Sequence, residues 1–216
     1  MTTPSLLLAT TNPAKVPMLR RLVGGLGFQL IAGPDTSVPP TINEDDTTHL
    51  AIAVHKAVAW SRLHSMPVVA SDGGVAIPAL GNAWESRMTR RHTGEGDVPD
   101  ETRARRLLGM MKGLEGEGRA VHRVEAAAIA QNGALLGAWE AAGFHGFVAL
   151  GPASHLGGTK GAWVESVLVA QDGRRYWELS PADFESFDEP WAVLALPVRG
   201  LLKRLAPEGD SERASG

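Results

Sequence analysis

Apolar residues fall into short runs separated by polar or glycine-rich turns, and the runs carry two different periods. Leu6, Leu7, Leu8 and Ala9 form an unbroken run of strand length. After the polar turn Thr10-Thr11-Asn12, Pro13 suits the first turn of a helix, where Pro17 is also tolerated. Leu19, Leu22, Val23 and Leu26 then recur at helical spacing. Gly24, Gly25 and Gly27 stop that helix, and Phe28 to Ala32 reads as a second strand. Leu50, Ala53, Val54 and Ala57 repeat the helical stripe as far as Leu63, with Thr47 and Thr48 as candidate caps. Val68 to Ala70 and Val75 to Ile77 are two apolar runs separated by Ser71-Asp72-Gly73-Gly74. A buried strand ending on an acid and a glycine pair predicts a sharp turn, with the Asp72 carboxylate at the carboxyl end of a sheet.

The second half changes character. Leu107, Met111 and Leu114 mark one face of a helix from Asp100 to Leu114. Val121 to Ala130 and Leu135 to Leu150 read as two strands joined at Asn132-Gly133, the strongest short hairpin signal. Val164 to Ala170 is a further strand, turning at Asp172-Gly173. Ser180, Pro181 and Asp183 form a helix start, and Pro190 and Pro197 are expected to break the last helical region. A βαβαβ order followed by a hairpin-rich half predicts an α/β fold on a mixed sheet flanked by helices. One domain over residues 1–206 is expected, with a polar, frayed tail at 207–216.

Composition narrows the function. A net charge of −3 gives no basic surface for nucleic acid. No apolar run approaches the length of a membrane span, and the N-terminus lacks a signal-peptide pattern. The absence of cysteine excludes disulfide and thiolate chemistry and makes a reducing cytoplasm the default compartment. The seven histidines show no metal-ligand spacing and read as structural or surface residues.

Three clusters could carry chemistry. Thr10, Asn12 and Lys15 bring hydroxyl, amide and ammonium groups to a helix N-terminus, which suits a phosphate or a simple helix cap. Glu44, in the acidic run with Asp45 and Asp46, could hold Mg²⁺ together with Asp72, or form a solvated acidic loop. A converging pair of carboxylates would also supply a base for an attacking water. Lys56 is a further phosphate contact or a solvated helix lysine. Trp84, Trp163 and Trp191 could stack on a base or pack in the core.

These clusters, in this order, resemble the inosine triphosphate pyrophosphatase family, the Ham-type nucleoside triphosphate pyrophosphatases. Thr10-Thr11-Asn12-Pro13-Ala14-Lys15 follows the family's Thr/Ser-x-Asn-x-x-Lys after a first strand. Glu44 and Lys56-Ala57 match its acid and helical lysine, and Ser71-Asp72-Gly73-Gly74-Val75 with Ala79-Leu80-Gly81 matches its Asp-Asp-Ser-Gly-Leu and Ala-Leu-Gly. Glu85-Ser86-Arg87 matches its Ser-Ala-Arg loosely. The resemblance implies an elongated mixed sheet with two lobes around a central cleft, and a homodimer. It implies Mg²⁺-dependent cleavage of a nucleoside triphosphate to monophosphate and pyrophosphate. By position, Lys15 and Asn12 would contact phosphates with Thr10, Ser71 and Gly73 beside them. Glu44 and Asp72 would hold the metal, Asp72 would also orient or deprotonate the water, and Lys56 would offset phosphate charge.

The second half departs from the pattern. The family's Gly-Phe-Gly-Tyr-Asp-Pro falls on Gly161-Ala162-Trp163-Val164-Glu165-Ser166, which leaves Trp163 as the aromatic for the base. Its base-reading Lys falls on Phe184 and its Ser-His-Arg on Asp188-Glu189-Pro190. Acids in place of cationic donors would reject a 6-keto purine such as hypoxanthine or xanthine held in the usual way. Ala51-Ile52 and Ser71 replace the family's Glu-Asn and first Asp. The leading expectation is a nucleoside triphosphate pyrophosphatase with altered base specificity, a deaminated purine (inosine or xanthosine) triphosphate still being among its candidate substrates. The alternatives are a catalytically silent relative that binds a nucleotide or a protein, and a related pyrophosphatase acting on modified pyrimidine nucleotides.

Overall fold

A computed structural model describes residues 3–36, 40, 48–88, 98–151 and 161–206. The strands are β1 (Ser5–Ala9), β2 (Gln29–Ala32), β3 (Val68–Ala76), β4 (Ala120–Gln131), β5 (Ala134–Val148) and β6 (Leu168–Ala170). The α-helices are α1 (Lys15–Val23), α2 (His49–Leu63), α3 (Asp100–Met110), α4 (Pro181–Ser186) and α5 (Pro190–Leu205). They build one mixed sheet in the order β2-β1-β3-β4-β5-β6. β1 runs parallel to both neighbours, because α1 and α2 return the chain to the same edge, and the remaining pairs are antiparallel.

Strand alternation sorts the core. Leu7, Val68, Ala70, Ala126 and Ala128 point to one face and pack on Ala53, Ala57 and Trp60 of α2. The alanines of β4 leave room for α2 to lie close. Leu6, Leu8, Val69, Ala127 and Ile129 point the other way, against Leu19 and Leu22 of α1 and Leu194 and Val198 of α5. A further cluster at the other end of the long strands joins Val75, Leu107, Met111, Phe144 and Leu168. β3 and β4 therefore run through two lobes, and β1 belongs only to the first.

Three expectations change. The sharp turn at Gly73-Gly74 does not form: β4 pairs with every residue from Val68 to Ala76, so β3 continues as one strand. The glycine serves close approach instead, since a Cβ at Gly73 would collide with the Glu125 carboxylate. Asp72 thus lies mid-strand, just beyond the end of β1, whose last residue pairs with Ala70. Residues Val164–Val167 form a 3₁₀ turn rather than strand, because the Ser166 amide and hydroxyl both donate to the Trp163 carbonyl. Pro190 separates α4 from α5, but Pro197 leaves α5 unbroken. Pro197 takes the helical donor from the carbonyl of Val193, and Val193 is 47% exposed, where water can replace it. The Asn132-Gly133 hairpin forms as expected, with both residues at positive φ (51° and 77°).

Candidate functional site

Where β1 stops, the edge of β3 that it leaves opens into a cavity of about 430 Å³ between the lobes. Its walls include Thr10, Asn12, Lys15, Lys56, Ser71 and Asp72. Sequence positions 62 residues or less apart therefore meet because β1, β3, α1 and α2 all end or begin at this edge.

The turn leading into α1 organises itself. The Asn12 amide donates to Thr10 Oγ1 at 3.1 Å, and Asn12 Oδ1 accepts from the Ala14 amide at 3.0 Å. Lys15 opens the helix and donates to Glu125 Oε1 at 2.9 Å. Gly161 closes against this turn, where any side chain would collide with Asn12 Oδ1.

Asp72 is held from two sides by α2. Lys56 Nζ donates to Oδ1 at 2.8 Å, and His49 Nδ1 lies 2.7 Å from Oδ2. The other nitrogen of His49 is 3.0 Å from Ser86 Oγ. Burial alone would raise the Asp72 pKa. The His49 hydrogen bond and the Lys15 and Lys56 charges outweigh it and bring the pKa down to about 2. An aspartate this acidic stays ionised and accepts a proton poorly at neutral pH.

Ser71 lines the cavity with a buried hydroxyl that lacks a hydrogen-bond partner. Trp163 forms part of the wall but is buried and packs edge-on against Trp84, with ring centroids 6.3 Å apart. Glu44, with Asp45 and Asp46, lies outside the described residues.

Several groups at the cavity escape a linear reading. His49 stands 23 residues from Asp72, without any motif between them. Arg123 and Glu125 did leave a signal: two charges inside the apolar run Val121 to Ala130. Arg123 lies among Glu165, Glu189 and Glu125. Burial opposes its charge, yet Tyr176 and these carboxylates hold its pKa above the usual arginine value. Glu189 is fully buried, which raises its pKa even though Arg123 and hydrogen bonds from the Trp191 amide and Tyr176 hydroxyl pull it down.

These features define an α/β protein with a cationic, carboxylate-bearing cavity at the end of a parallel strand. The chain belongs to the Ham1 family, whose model matches residues 6–151. A dITP/XTP pyrophosphatase of Anaeromyxobacter sp. (strain Fw109-5) is 32% identical over 236 aligned positions, covering 94% of this chain and 99% of that protein. A dITP/XTP pyrophosphatase of Anaeromyxobacter dehalogenans (strain 2CP-C) is 44% identical over 79 residues, 36% of this chain and 34% of that protein. Among solved structures, a HAM1 protein from Coxiella burnetii superposes with a TM-score of 0.70 at 22% identity, covering 94% of this chain and 98% of its own.

Proposed function

We propose that this protein is a nucleoside triphosphate pyrophosphatase that releases pyrophosphate in a Mg²⁺-dependent reaction, with a base specificity different from that of its named relatives. The observation that carries the proposal is the convergence of Lys15, Lys56 and the ionised Asp72 in one cavity at the N-terminus of α1. A helix N-terminus and two ammoniums suit a polyphosphate. Lys15 and Lys56 would exchange their carboxylate partners for phosphate oxygens. Thr10, Asn12 and Gly73 would shape the floor of the phosphate site, and Ser71 would offer its free hydroxyl.

Among the described residues, no group of three ligating side chains comes together. Mg²⁺ asks for less: one or two carboxylates, with water and phosphate oxygens completing its shell. Asp72 meets that requirement, and Glu44 is the proposed second carboxylate. When bound, the ion offsets charge on the phosphates. With its low pKa, Asp72 is better suited to holding the ion and orienting the attacking water than to keeping the water's proton. His49 fixes the carboxylate against rotation from behind.

The base end supports the altered specificity. The family's cationic base readers fall on Phe184 and Asp188-Glu189-Pro190, and Glu189 is buried against Tyr176 and Arg123. The test is pyrophosphate release from a panel of common and deaminated nucleoside triphosphates with Mg²⁺. Release is expected on at least one nucleotide, falling by about 10²-fold or more in Asp72→Asn. Release independent of Asp72 would overturn the mechanism. Nucleotide binding without release would favour a silent binding protein instead.

A further inference from the structure

The histidines show no metal-binding pattern along the chain, yet the sheet brings two of them together. β4 and β5 are in register with Arg123 opposite Gly143 and Val121 opposite Gly146. One residue of β4, His122, therefore faces two of β5, Phe144 and His145, which is a β-bulge. Phe144 takes a φ of 46°, a left-handed backbone that a bulky residue rarely adopts. Its amide donates to the Phe187 carbonyl at 3.0 Å, and its fully buried ring packs edge-on against Tyr176. The extra residue sends the Phe144 ring into the core and leaves His145 beside His122 on the other face. The two imidazole centroids lie 5.9 Å apart, with their planes tilted by 36°.

The pair has the properties of a ligand set. His145 is exposed and His122 is half-buried, so a solute can reach both. Burial, and then the neighbouring His145, lower the His122 pKa and favour the neutral ring, the form that binds metals. A tetrahedral zinc ion about 2.1 Å from one nitrogen of each ring would hold the centroids roughly 5.3 Å apart. The observed 5.9 Å needs a closure of less than about 1 Å, which rotation of the exposed His145 side chain can supply. Imidazole nitrogens suit Zn²⁺, Cu²⁺ or Ni²⁺ rather than Mg²⁺, which takes oxygen ligands. Neither histidine lines the cavity that holds Asp72, and Arg123, the next residue on β4, points to that cavity from the opposite face.

We propose that His122 and His145 form a two-histidine Zn²⁺ site that clips β4 to β5 at the bulge, with water completing the shell of the ion. The proposal is independent of the nucleotide reading above. Among the described residues, no third ligating side chain joins the pair. Structural zinc sites close with four protein ligands, so a site with two binds its ion reversibly. An ion held there adds a cross-link at the point where the bulge interrupts the ladder between the strands. It binds the folded chain and not the unfolded one, and so stabilises the fold.

The experiment titrates ZnCl₂ into the metal-free protein near neutral pH, followed by calorimetry and by the imidazole signals in NMR spectra. One saturable site per chain is expected, with the His122 and His145 ring signals shifting together. His145→Asn and His122→Gln are each expected to weaken binding by about 10-fold or more, since losing a ligand costs at least as much as losing a ligand's supporting partner. The melting temperature is expected to rise with Zn²⁺ in the wild type and not in either variant. Saturable binding that both substitutions leave unchanged would put the ion at the Asp72 cavity or at another histidine and overturn the proposal. Absence of binding up to about 1 mM Zn²⁺ would overturn it as well. If His122→Gln does not fold, His145→Asn and the wild-type ring signals decide, because His145 is exposed and its replacement leaves the core intact.

Discussion

Asp72 shows how one residue links the site to the stability of the chain. Its pKa falls from the ordinary 3.8 to about 2 in the folded protein, because His49, Lys15 and Lys56 favour the ionised form more than burial disfavours it. A depressed carboxylate pKa contributes stability that is fully present above the unfolded value and is lost as pH drops through the folded value. The window is therefore pH 4 down to pH 2, and the contribution is about 2 kcal/mol. Urea midpoints measured from pH 6 to pH 2 are expected to fall across that window in the wild type. Asp72→Asn is expected to lack this part of the fall, and equal slopes in the two proteins would refute the assignment. The apolar and glycine neighbours of Asp72 marked it in the sequence as a carboxylate on a buried strand, and the structure places it on the cavity wall. Its partner His49 was not, because a hydrogen bond across 23 residues leaves no trace in local spacing.

At the scale of elements, α2 carries much of the site on one face of one helix. His49 and Lys56 lie two turns apart and both reach Asp72. Thr48 caps this helix, its side chain accepting from the Ala51 amide at 3.1 Å. Thr48→Ala is expected to cost about 1 kcal/mol in a denaturant titration. It is also expected to loosen the first turn, where His49 is anchored, and so to lower turnover. Unchanged stability would mean that the cap contributes nothing. The caps, the amphipathic stripes and the Asn-Gly hairpin were readable because each is a local signal. β3 was misread as two pieces because its continuity depends on β4, which supplies ladder partners from about fifty residues away in the chain. The turn at Val164–Val167 was hidden for a related reason: a β-branched composition indicates strand, but Ser166 offers the backbone a competing bond.

At the scale of the molecule, the second lobe is tied to the sheet by a buried arginine. Arg119 donates to the carbonyls of Met111 at 2.8 Å, Leu114 at 3.1 Å and Val148 at 2.7 Å, and also to that of Ala149. It thereby joins the end of α3 to the end of β5. Arg119→Met would leave several buried carbonyls without donors, at a cost on the order of 3 kcal/mol. Hydrogen exchange is expected to accelerate in α3 and the end of β5 before it does in α1 and α2. Uniform acceleration would argue that the lobes do not differ in this way.

The sequence by itself determined most of the elements, the α/β class on a mixed sheet and the nearness of Thr10, Asn12 and Lys15 at the start of α1. Each of these is written in residues that lie close together in the chain, where periodicity, capping and glycine content act directly. Only the tertiary structure decided that β1 ends early enough to open a cavity along the edge of β3. It also decided that α2 turns His49 and Lys56 onto Asp72, and that Arg123 meets Glu165 and Glu189 at the same cavity. Those outcomes depend on strand register and on which face each helix presents. Both are set by packing the whole chain around a common sheet.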